Sequence, residues 1–366
     1  MKLMKILGIE SSCDETAAAV VEDGFRVLSS VVNSQIDIHA QYGGVVPEIA
    51  ARSHIEVINP VIREALTQAQ CNWDDLDAIA VTYAPGLVGS LLVGTLAART
   101  LAILRDKPLY AIHHVEAHVY ANFITESNGS ALQLPSKQPE FPLLALIVSG
   151  GHTQLVLFHG HGDYELLGQT QDDAVGEAFD KVAKILGLPY PGGPSIATAA
   201  ERGDPEKYHL PKAKLDNPYN FSFSGLKTAV LRAVQHAVGK DFTFPSHELP
   251  KLINDVQRAD FAASFQRVAV ETLVERTLRA YSDFAPRSVV IAGGVAANQE
   301  LRRQLSARLP IAIEYAPMQF CTDNAAMIAT LGFFHTQYGI PADPYTLDVI
   351  PSLSMVTTAW NVAKVL

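Results

Sequence analysis

The densest group of potential metal ligands is the segment His113-His114-Val115-Glu116-Ala117-His118, which holds three of the chain's 12 histidines. On a helix, His114 and His118 share one face, where two imidazoles can bind one metal ion. The alternative is a helix start with hydrogen-bonded surface histidines. Glu116 follows His114 by two residues, about 200° around a helix, so the zinc-protease pattern HExxH is absent. The spacing favours a metal site and disfavours a peptidase.

A third ligand is expected in Cys321-Thr322-Asp323-Asn324, which precedes an Ala-rich segment. The Asp323 carboxylate suits the site, although Asp is also a common helix N-cap, and the spacing does not separate the two roles. Cys321 is a softer alternative ligand.

Two polar turns lie about 140 residues apart in the sequence. Both have the composition of turns that bind anions. Ser149-Gly150-Gly151-His152-Thr153 lies between two apolar runs, and its small residues would let a phosphate or carboxylate approach backbone N–H groups. The alternative is an ordinary hairpin turn. The earlier turn, residues 11–16, carries hydroxyls and the carboxylates Asp14 and Glu15. Two such strand–turn–strand units indicate an internal duplication.

Three further segments have both a structural and a ligand-binding interpretation. Residues 292–298 end a strand at Gly293-Gly294 and place Asn298 where it could cap a helix or approach a ligand. Residues 190–194 are rich in Gly and Pro, and either cover a ligand or connect two elements. Asp180 could bind a hydroxyl or form a surface ion pair. No GxxxxGK[ST] motif occurs in the chain, and no GxGxxG lies where a Rossmann fold needs it.

The hydrophobic periodicity predicts an α/β fold with a mostly parallel sheet in each half. Strands are predicted at residues 5–9, 16–21, 25–32, 77–83, 109–112, 143–148, 154–158, 164–168, 288–292 and 311–315. Helices are predicted at residues 47–68, 89–104, 113–124, 174–186, 255–284, 299–309 and 324–334. A linker is expected over residues 125–140, a loop over 189–194 and irregular chain over 201–224.

Composition limits the remaining possibilities. The 366 residues suggest two domains, possibly three, and 48% hydrophobic with 18% charged residues is typical of a globular protein. The net charge of −10 disfavours binding nucleic acid through the average surface. Three cysteines indicate a reducing compartment, and we find no secretory signal. The longest apolar stretch, residues 86–98, is shorter than the ~20 residues of a membrane span. A soluble, cytoplasmic protein with no membrane partner is expected.

The motifs together resemble the bacterial tRNA N6-adenosine threonylcarbamoyltransferase family (TsaD). Nine segments carry the resemblance, in family order across most of the chain: residues 8–16, 45–54, 113–118, 148–153, 177–181, 190–194, 221–228, 293–298 and 320–324. The resemblance implies an actin/Hsp70/sugar-kinase-like (ASKHA) fold of two duplicated α/β domains around a central cleft. The domains expected are residues 1–135, with the histidine pair, and residues 136–366, with a helical insertion at about 172–285.

The resemblance also implies an activity and a set of site residues. One divalent metal ion, iron or zinc, would be held by His114, His118 and Asp323. The donor would be threonylcarbamoyl-adenylate and the acceptor N6 of the adenosine 3′ of the anticodon in tRNAs reading codons that begin with A, with release of AMP. The donor would be lined by Ile147, Val148, Ser149, Gly150 and Gly151 at its acyl-phosphate end, by Asp180 and Gly193 at the ribose, and by Asn298 at the nucleotide.

A catalytic base is useful because the adenine amine is a weak nucleophile, and Asp14 or Glu15 is the candidate. The family implies three protein partners: a paralogous dimerisation subunit (TsaB-like), an ATPase subunit (TsaE-like) and the donor-synthesising enzyme (TsaC-like). An ATPase or kinase of the same fold, a metallopeptidase and a non-catalytic scaffold are the competing interpretations.

Overall fold

The computed structural model describes residues 3–128, 133–313 and 315–355. The strands are β1 (Lys5–Glu10), β2 (Glu15–Glu22), β3 (Arg26–Ser34), β4 (Ala78–Ala84), β5 (Leu109–His113), β6 (Glu126–Ser127), β7 (Leu143–Val148), β8 (Thr153–Gly160), β9 (Asp163–Gln169) and β10 (Ser288–Ala292). The helices are α1 (Ile36–Ala40), α2 (Pro47–Gln68), α3 (Val88–Arg105), α4 (His114–Tyr120), α5 (Val175–Leu186), α6 (Gly192–Ala200), α7 (Ser224–Ala237), α8 (Asp255–Phe284), α9 (Gln299–Arg308), α10 (Met318–Cys321) and α11 (Ala325–Tyr338).

The chain forms two compact units that are interleaved in sequence. The first comprises Met1–Leu143, Phe158–Glu165 and Glu314–Leu366, and the second Leu144–Leu157 and Leu166–Ile313. The predicted domain boundary at residues 135 and 136 stays a prediction. The two sheets contain the same strand pattern, β4-β1-β2-β3 in one and β10-β7-β8-β9 in the other. The first three predicted strands therefore form a three-strand meander, and so do the predicted strands at 143–148, 154–158 and 164–168.

In the six-stranded sheet, β1 pairs antiparallel with β2 and parallel with β4, and β4 pairs parallel with β5. The turn between β2 and β3 has positive φ at Asp23 and Gly24, the geometry of the tight hairpin that the Glu22-Asp23-Gly24 sequence favours. The parallel order brings the carboxyl ends of β1, β4 and β5 to one edge. Glu10, Ala84 and His113 end these strands.

Helix α11 lies unusually close to the sheet of the first unit. A Cβ atom on Gly8 of β1 would be 2.3 Å from the Ala325 carbonyl oxygen, and one on Gly332 of α11 would be 2.5 Å from the Ala80 Cβ atom. Such distances are well inside van der Waals contact, so glycine is required at both points. The N-terminal end of α11 is thereby fixed against β1, directly after Asp323.

Most predicted elements are confirmed within one to three residues, and three predictions need correction. No strand forms in the described part of residues 311–315, although residue 314 lies outside the described chain. Pro310 and Pro317 flank this stretch, and the Ala316 N–H donates to the Asn122 side chain at 3.3 Å rather than to a strand. Residues 129–132 of the predicted linker also lie outside the described chain.

The other two corrections concern helix ends. The predicted helix at 113–124 ends as α-helix at Tyr120 and continues as a 3₁₀ turn over Ala121–Phe123. The predicted loop at 189–194 contains the start of α6 at Gly192. Proline is tolerated in a first helical turn, where its missing N–H would have no intrahelical partner. The Asp180 carboxylate accepts the Gly192 N–H at 2.7 Å and so holds this helix start.

Helix α3 is long and apolar enough to cross a membrane by length and composition, with a mean hydropathy of 1.4. Here it packs against α2 and β4 with 33% of its residues buried. The core helix of a soluble protein passes the same test.

Replacing Gly8 by Ala is expected to lower the free energy of unfolding by ~1–3 kcal/mol, because the new methyl group must displace the backbone of α11. Thermal unfolding measures the loss, and ~1 kcal/mol corresponds to roughly 2–4 °C for 150–250 residues. Gly225→Ala in α7 is the matched control, since a Cβ atom there meets nothing within 4 Å. Equal midpoints for the two variants would contradict the role of this contact.

Candidate functional site

Three potential metal ligands converge in the first unit. The Nε2 atoms of His114 and His118 lie 3.2 Å apart, and Asp323 Oδ1 lies 3.5 Å from the first and 3.2 Å from the second. Ligand atoms about 2.0–2.1 Å from a tetrahedral ion are separated by about 3.3 Å. These three residues can therefore hold a metal ion, as the sequence predicts.

Secondary structure positions each of these ligands. Strand β5 ends at His113, whose Nδ1 accepts the Glu116 N–H at 3.4 Å and caps α4. Four-residue spacing on α4 then places His114 and His118 on one face. Glu116 is buried and lies outside the metal-binding cluster, as its position around the helix predicts.

Asp323 reaches the cluster from the start of α11. The N-cap of this helix is Asn324, whose Oδ1 accepts the Met327 N–H at 3.0 Å. The capping role considered for Asp323 therefore belongs to its neighbour. The Cys321 thiol donates to the Ala316 carbonyl oxygen at 3.4 Å and lies outside the cluster, so it is not the third ligand.

The electrostatic surroundings favour a cation at this cluster. Burial lowers the pKa of His114, but the carboxylates of Asp323 and Glu10 outweigh it and raise that pKa to about 9. For Glu10, burial raises the pKa and the His114 imidazole outweighs it, so that pKa lies below its usual value. Two carboxylates thus provide negative charge next to the imidazoles, where a bound metal ion would replace a proton.

Asp14 and Glu15 lie in the same unit and form an interacting carboxyl pair. Burial raises the pKa of Glu15 to about 10, and the carboxylates of Asp323 and Asp14 add to the shift. The Ser34 hydroxyl donates to Glu15 Oε1 at 3.2 Å. Because its pKa is raised this far, Glu15 keeps its proton at neutral pH in these surroundings.

The turn that carries this pair is held by residues to which the sequence analysis gave no role. The Cys13 carbonyl oxygen accepts two hydrogen bonds, from His54 Nε2 at 3.0 Å and from the Ser90 hydroxyl at 3.1 Å. Because a carbonyl only accepts, His54 carries its proton on Nε2, and its Nδ1 accepts from the Thr16 hydroxyl at 2.7 Å. The sequence signal that could have indicated this support is His54, a histidine on the apolar face of the predicted helix at 47–68.

The second unit contains the glycine turn. The Ser149 N–H donates to the His152 carbonyl oxygen at 2.8 Å, and the His152 N–H donates to the Ser149 hydroxyl at 3.1 Å. A Cβ atom at Gly150 or Gly151 would meet nothing within 4 Å, and neither residue has a positive φ. Packing and conformation within the described chain thus do not demand glycine here, which suits a surface that a ligand approaches. Ile147 and Val148 are fully buried, and their contact with a donor stays a prediction.

The remaining predicted donor-binding residues lie in the same unit. Asp180 holds the start of α6, and burial raises its pKa despite the hydrogen bond from Gly192. A Cβ atom at Gly193 would meet nothing within 4 Å. Asn298 caps α9 by accepting the Leu301 N–H at 3.0 Å, and its amide donates to Gln266 at 3.0 Å. The structural interpretation of Asn298 is confirmed, and its role toward a nucleotide stays a prediction.

Replacing His114, His118 or Asp323 by Ala is expected to reduce metal binding by at least about 100-fold, because two ligands cannot complete the site. Elemental analysis after dialysis should give about one ion per wild-type chain and close to none per variant. His236→Ala, an exposed histidine of α7, is the matched control. Retention of the ion by all three ligand variants would exclude this site.

Comparisons with known proteins show the family of this chain. Residues 26–330 match the family model of the tRNA N6-adenosine threonylcarbamoyltransferases. Curated proteins of that name from Thermomicrobium roseum and Symbiobacterium thermophilum are 52% and 53% identical. The first alignment covers 97% of this chain and 98% of the relative, and the second covers 96% of each. The crystal structure of full-length HypF in its phosphate- and nucleotide-bound form matches with a TM-score of 0.55 at 13% identity, over 90% of this chain and 46% of HypF. The fold is actin/Hsp70/sugar-kinase-like, as expected, and the chain belongs to the tRNA N6-adenosine threonylcarbamoyltransferase family.

Proposed function

We propose that this chain transfers the threonylcarbamoyl group of threonylcarbamoyl-adenylate to N6 of the adenosine 3′ of the anticodon in tRNAs reading codons that begin with A. The convergence of His114, His118 and Asp323 in a chain of this family carries the proposal. Two imidazoles and one carboxylate suit iron or zinc. When bound, such an ion supplies Lewis-acid polarisation of a carbonyl or orients a carboxylate.

The reaction needs positioning and charge stabilisation, because the donor is already an activated mixed anhydride. The adenine N6 attacks the carbamoyl carbon, and a new C–N bond replaces the C–O bond to the phosphate. AMP leaves with that electron pair, and one N6 proton passes to a base. The backbone N–H groups of Gly150 and Gly151, in the turn that begins at Ser149, are proposed to hold the leaving phosphate. Asp180, Gly193 and Asn298 are proposed to bind the nucleoside of the donor.

The base in this proposal is the carboxyl pair of Asp14 and Glu15. One of these two carboxyl groups would accept the proton that leaves N6. The two groups interact, since Asp14 contributes to raising the pKa of Glu15.

Single-turnover transfer from the donor to tRNA tests the proposal. Asp14→Asn and Glu15→Gln are each expected to slow transfer by about 10²–10⁴-fold, the usual contribution of a general base. Each ligand variant is expected to lose transfer together with its metal. His236→Ala should behave as wild type. Transfer at the wild-type rate by Asp14→Asn and Glu15→Gln would exclude the base, and transfer by metal-free variants would exclude the metal-dependent reaction.

An ATPase or kinase of the same fold is the second candidate, because the glycine turn also suits ATP phosphates. It leaves the buried His114–His118–Asp323 cluster without a role. ATP hydrolysis by the isolated chain with wild-type rates in His114→Ala, and no labelled tRNA under any combination of partners, would favour this candidate.

We also propose that the chain works in the cytoplasm with a paralogous dimerisation subunit, an ATPase subunit and the donor-synthesising enzyme. Its three cysteines are free thiols, which fits a reducing compartment.

Val88, Leu92 and Leu96 form an exposed apolar stripe on α3, and Ile55 of the neighbouring α2 is 63% exposed. Exposed apolar helix faces of this kind typically mark protein–protein contacts, and this face suits the dimerisation subunit. The charge of −10 makes shared binding of tRNA by the complex more favourable than binding by this chain alone.

Leu92→Glu is expected to weaken binding of the paralogous subunit about 30-fold or more, the loss of a typical hot spot of ~2 kcal/mol. Leu104→Glu is the matched control, because Leu104 is 71% exposed on the same helix but lies about 120° from the stripe. Calorimetric titration of the two purified subunits gives the affinities. Equal affinities for the two variants would place the dimerisation contact elsewhere.

A further inference from the structure

We propose that Glu10 is a positioning residue that fixes the His114 imidazole for metal binding; the inference rests on the metal-dependent function proposed above. Glu10 ends β1, is fully buried and is not one of the three converging ligands. Its Oε2 atom lies 3.1 Å from His114 Nδ1, on the side of the ring opposite the metal-facing Nε2. A carboxylate behind a ligating histidine is a common means of orienting the ring.

The hydrogen bonds of Glu10 define the direction of its contact with His114. Oε1 accepts the backbone N–H of Ser12 at 2.5 Å, and Oε2 accepts the Thr82 hydroxyl at 2.5 Å. A carboxylate whose two oxygens accept from these donors is also an acceptor toward His114. The Nδ1 atom of His114 therefore donates its proton to Oε2, and the Nε2 lone pair faces His118 and Asp323. The Ser12 hydroxyl oxygen, 3.2 Å from the same Nδ1 atom, can accept from it as well.

The second ligand histidine lacks such support. His118 is buried, and its Nδ1 atom has no hydrogen-bond partner within the described residues. Glu10 is thus the carboxylate that fixes the tautomer and ring orientation of one imidazole, while the other is held by packing on α4. The orientation of His114 is expected to limit the affinity of the whole site.

Glutamine at position 10 cannot reproduce this arrangement. Its amide has one accepting oxygen, whereas Ser12 N–H and His114 Nδ1–H each require an acceptor on a different side. If the NH₂ group faces His114, it donates to Nδ1 and favours the tautomer whose Nε2 carries a proton, which blocks the metal ligand. If the oxygen faces His114, the NH₂ group points at the Ser12 N–H, so that two hydrogen-bond donors face each other without an acceptor.

Titration of the metal-free full chain with Zn²⁺ against a chromophoric chelator tests the inference. Glu10→Gln is expected to bind Zn²⁺ about 10–100-fold more weakly than wild type, the usual effect of losing such a partner. Glu116→Gln is the matched control, because Glu116 is an equally buried carboxylate next to the histidines but is not a ligand. Its affinity should stay within about threefold of wild type, far from the expected loss.

Proton NMR of the Zn²⁺-loaded protein separates positioning from a general structural role. The His114 Nδ1–H resonance should be sharp and at low field in wild type, and it should lose that shift in Glu10→Gln but keep it in Glu116→Gln. Thr82→Val, which removes one donor to Glu10 but keeps the carboxylate, should shift the resonance and weaken binding by less than about tenfold. It provides the test if Glu10→Gln fails to fold.

The inference would be overturned if Glu10→Gln bound Zn²⁺ with the wild-type affinity and kept the wild-type His114 resonance. If Glu10→Gln does not fold, the same two results in Thr82→Val would overturn it. Loss of metal and transfer in His114→Ala alongside those results would leave the proposed function intact. Metal and transfer retained in His114→Ala would instead refute the role of this metal site in the proposed function.

Discussion

The metal cluster depends on one backbone contact, that between α11 and β1 at Gly8. Asp323 lies far along the chain from His118, and no local structure connects them. The Ala325 carbonyl oxygen packs where a Gly8 side chain would otherwise stand, which fixes the start of α11 over the sheet. The parallel pairing of β1, β4 and β5 then places Glu10 and His113 at the same sheet edge. The close packing at Gly8 thus determines whether the Asp323 carboxylate lies next to the two imidazoles.

Around the cluster, one residue of each neighbouring pair has a structural role and the other is a potential metal ligand. Asn324 caps α11, which leaves Asp323 available as a ligand. His113 caps α4, which leaves His114 to face the cluster. His54, Ser90 and Thr16 secure the turn that carries the carboxyl pair. The Met327 N–H, the Glu116 N–H and the Cys13 carbonyl oxygen are therefore satisfied by residues that do not take part in the proposed chemistry, which favours a preorganised site.

Local patterns in the sequence predicted the strands, the long helices and all three converging ligands. The His114 and His118 pair is a matter of helical spacing alone, and Asp323 was identified as one of two possible ligands near α11. The choice between capping and ligation at Asp323 needed the structure, because it depends on which of two adjacent side chains reaches the Met327 N–H. The strand expected at 311–315 did not form in the described residues, because the flanking prolines and the hydrogen bond from Ala316 to the Asn122 side chain outweighed its apolar composition. Glu10 was visible only as part of a motif, since its burial beside His114 is a tertiary property.

The interleaving of the two units also has a consequence for synthesis. When the ribosome has completed the second unit, the first still lacks α11, so the face of β1 around Gly8 is uncovered and the histidine pair has no carboxylate partner. At translation rates of roughly 5–20 residues per second, the roughly 200 residues between His118 and Asp323 correspond to roughly 10–40 s of elongation. The three potential ligands are therefore together only late in synthesis, after α11 has docked on β1.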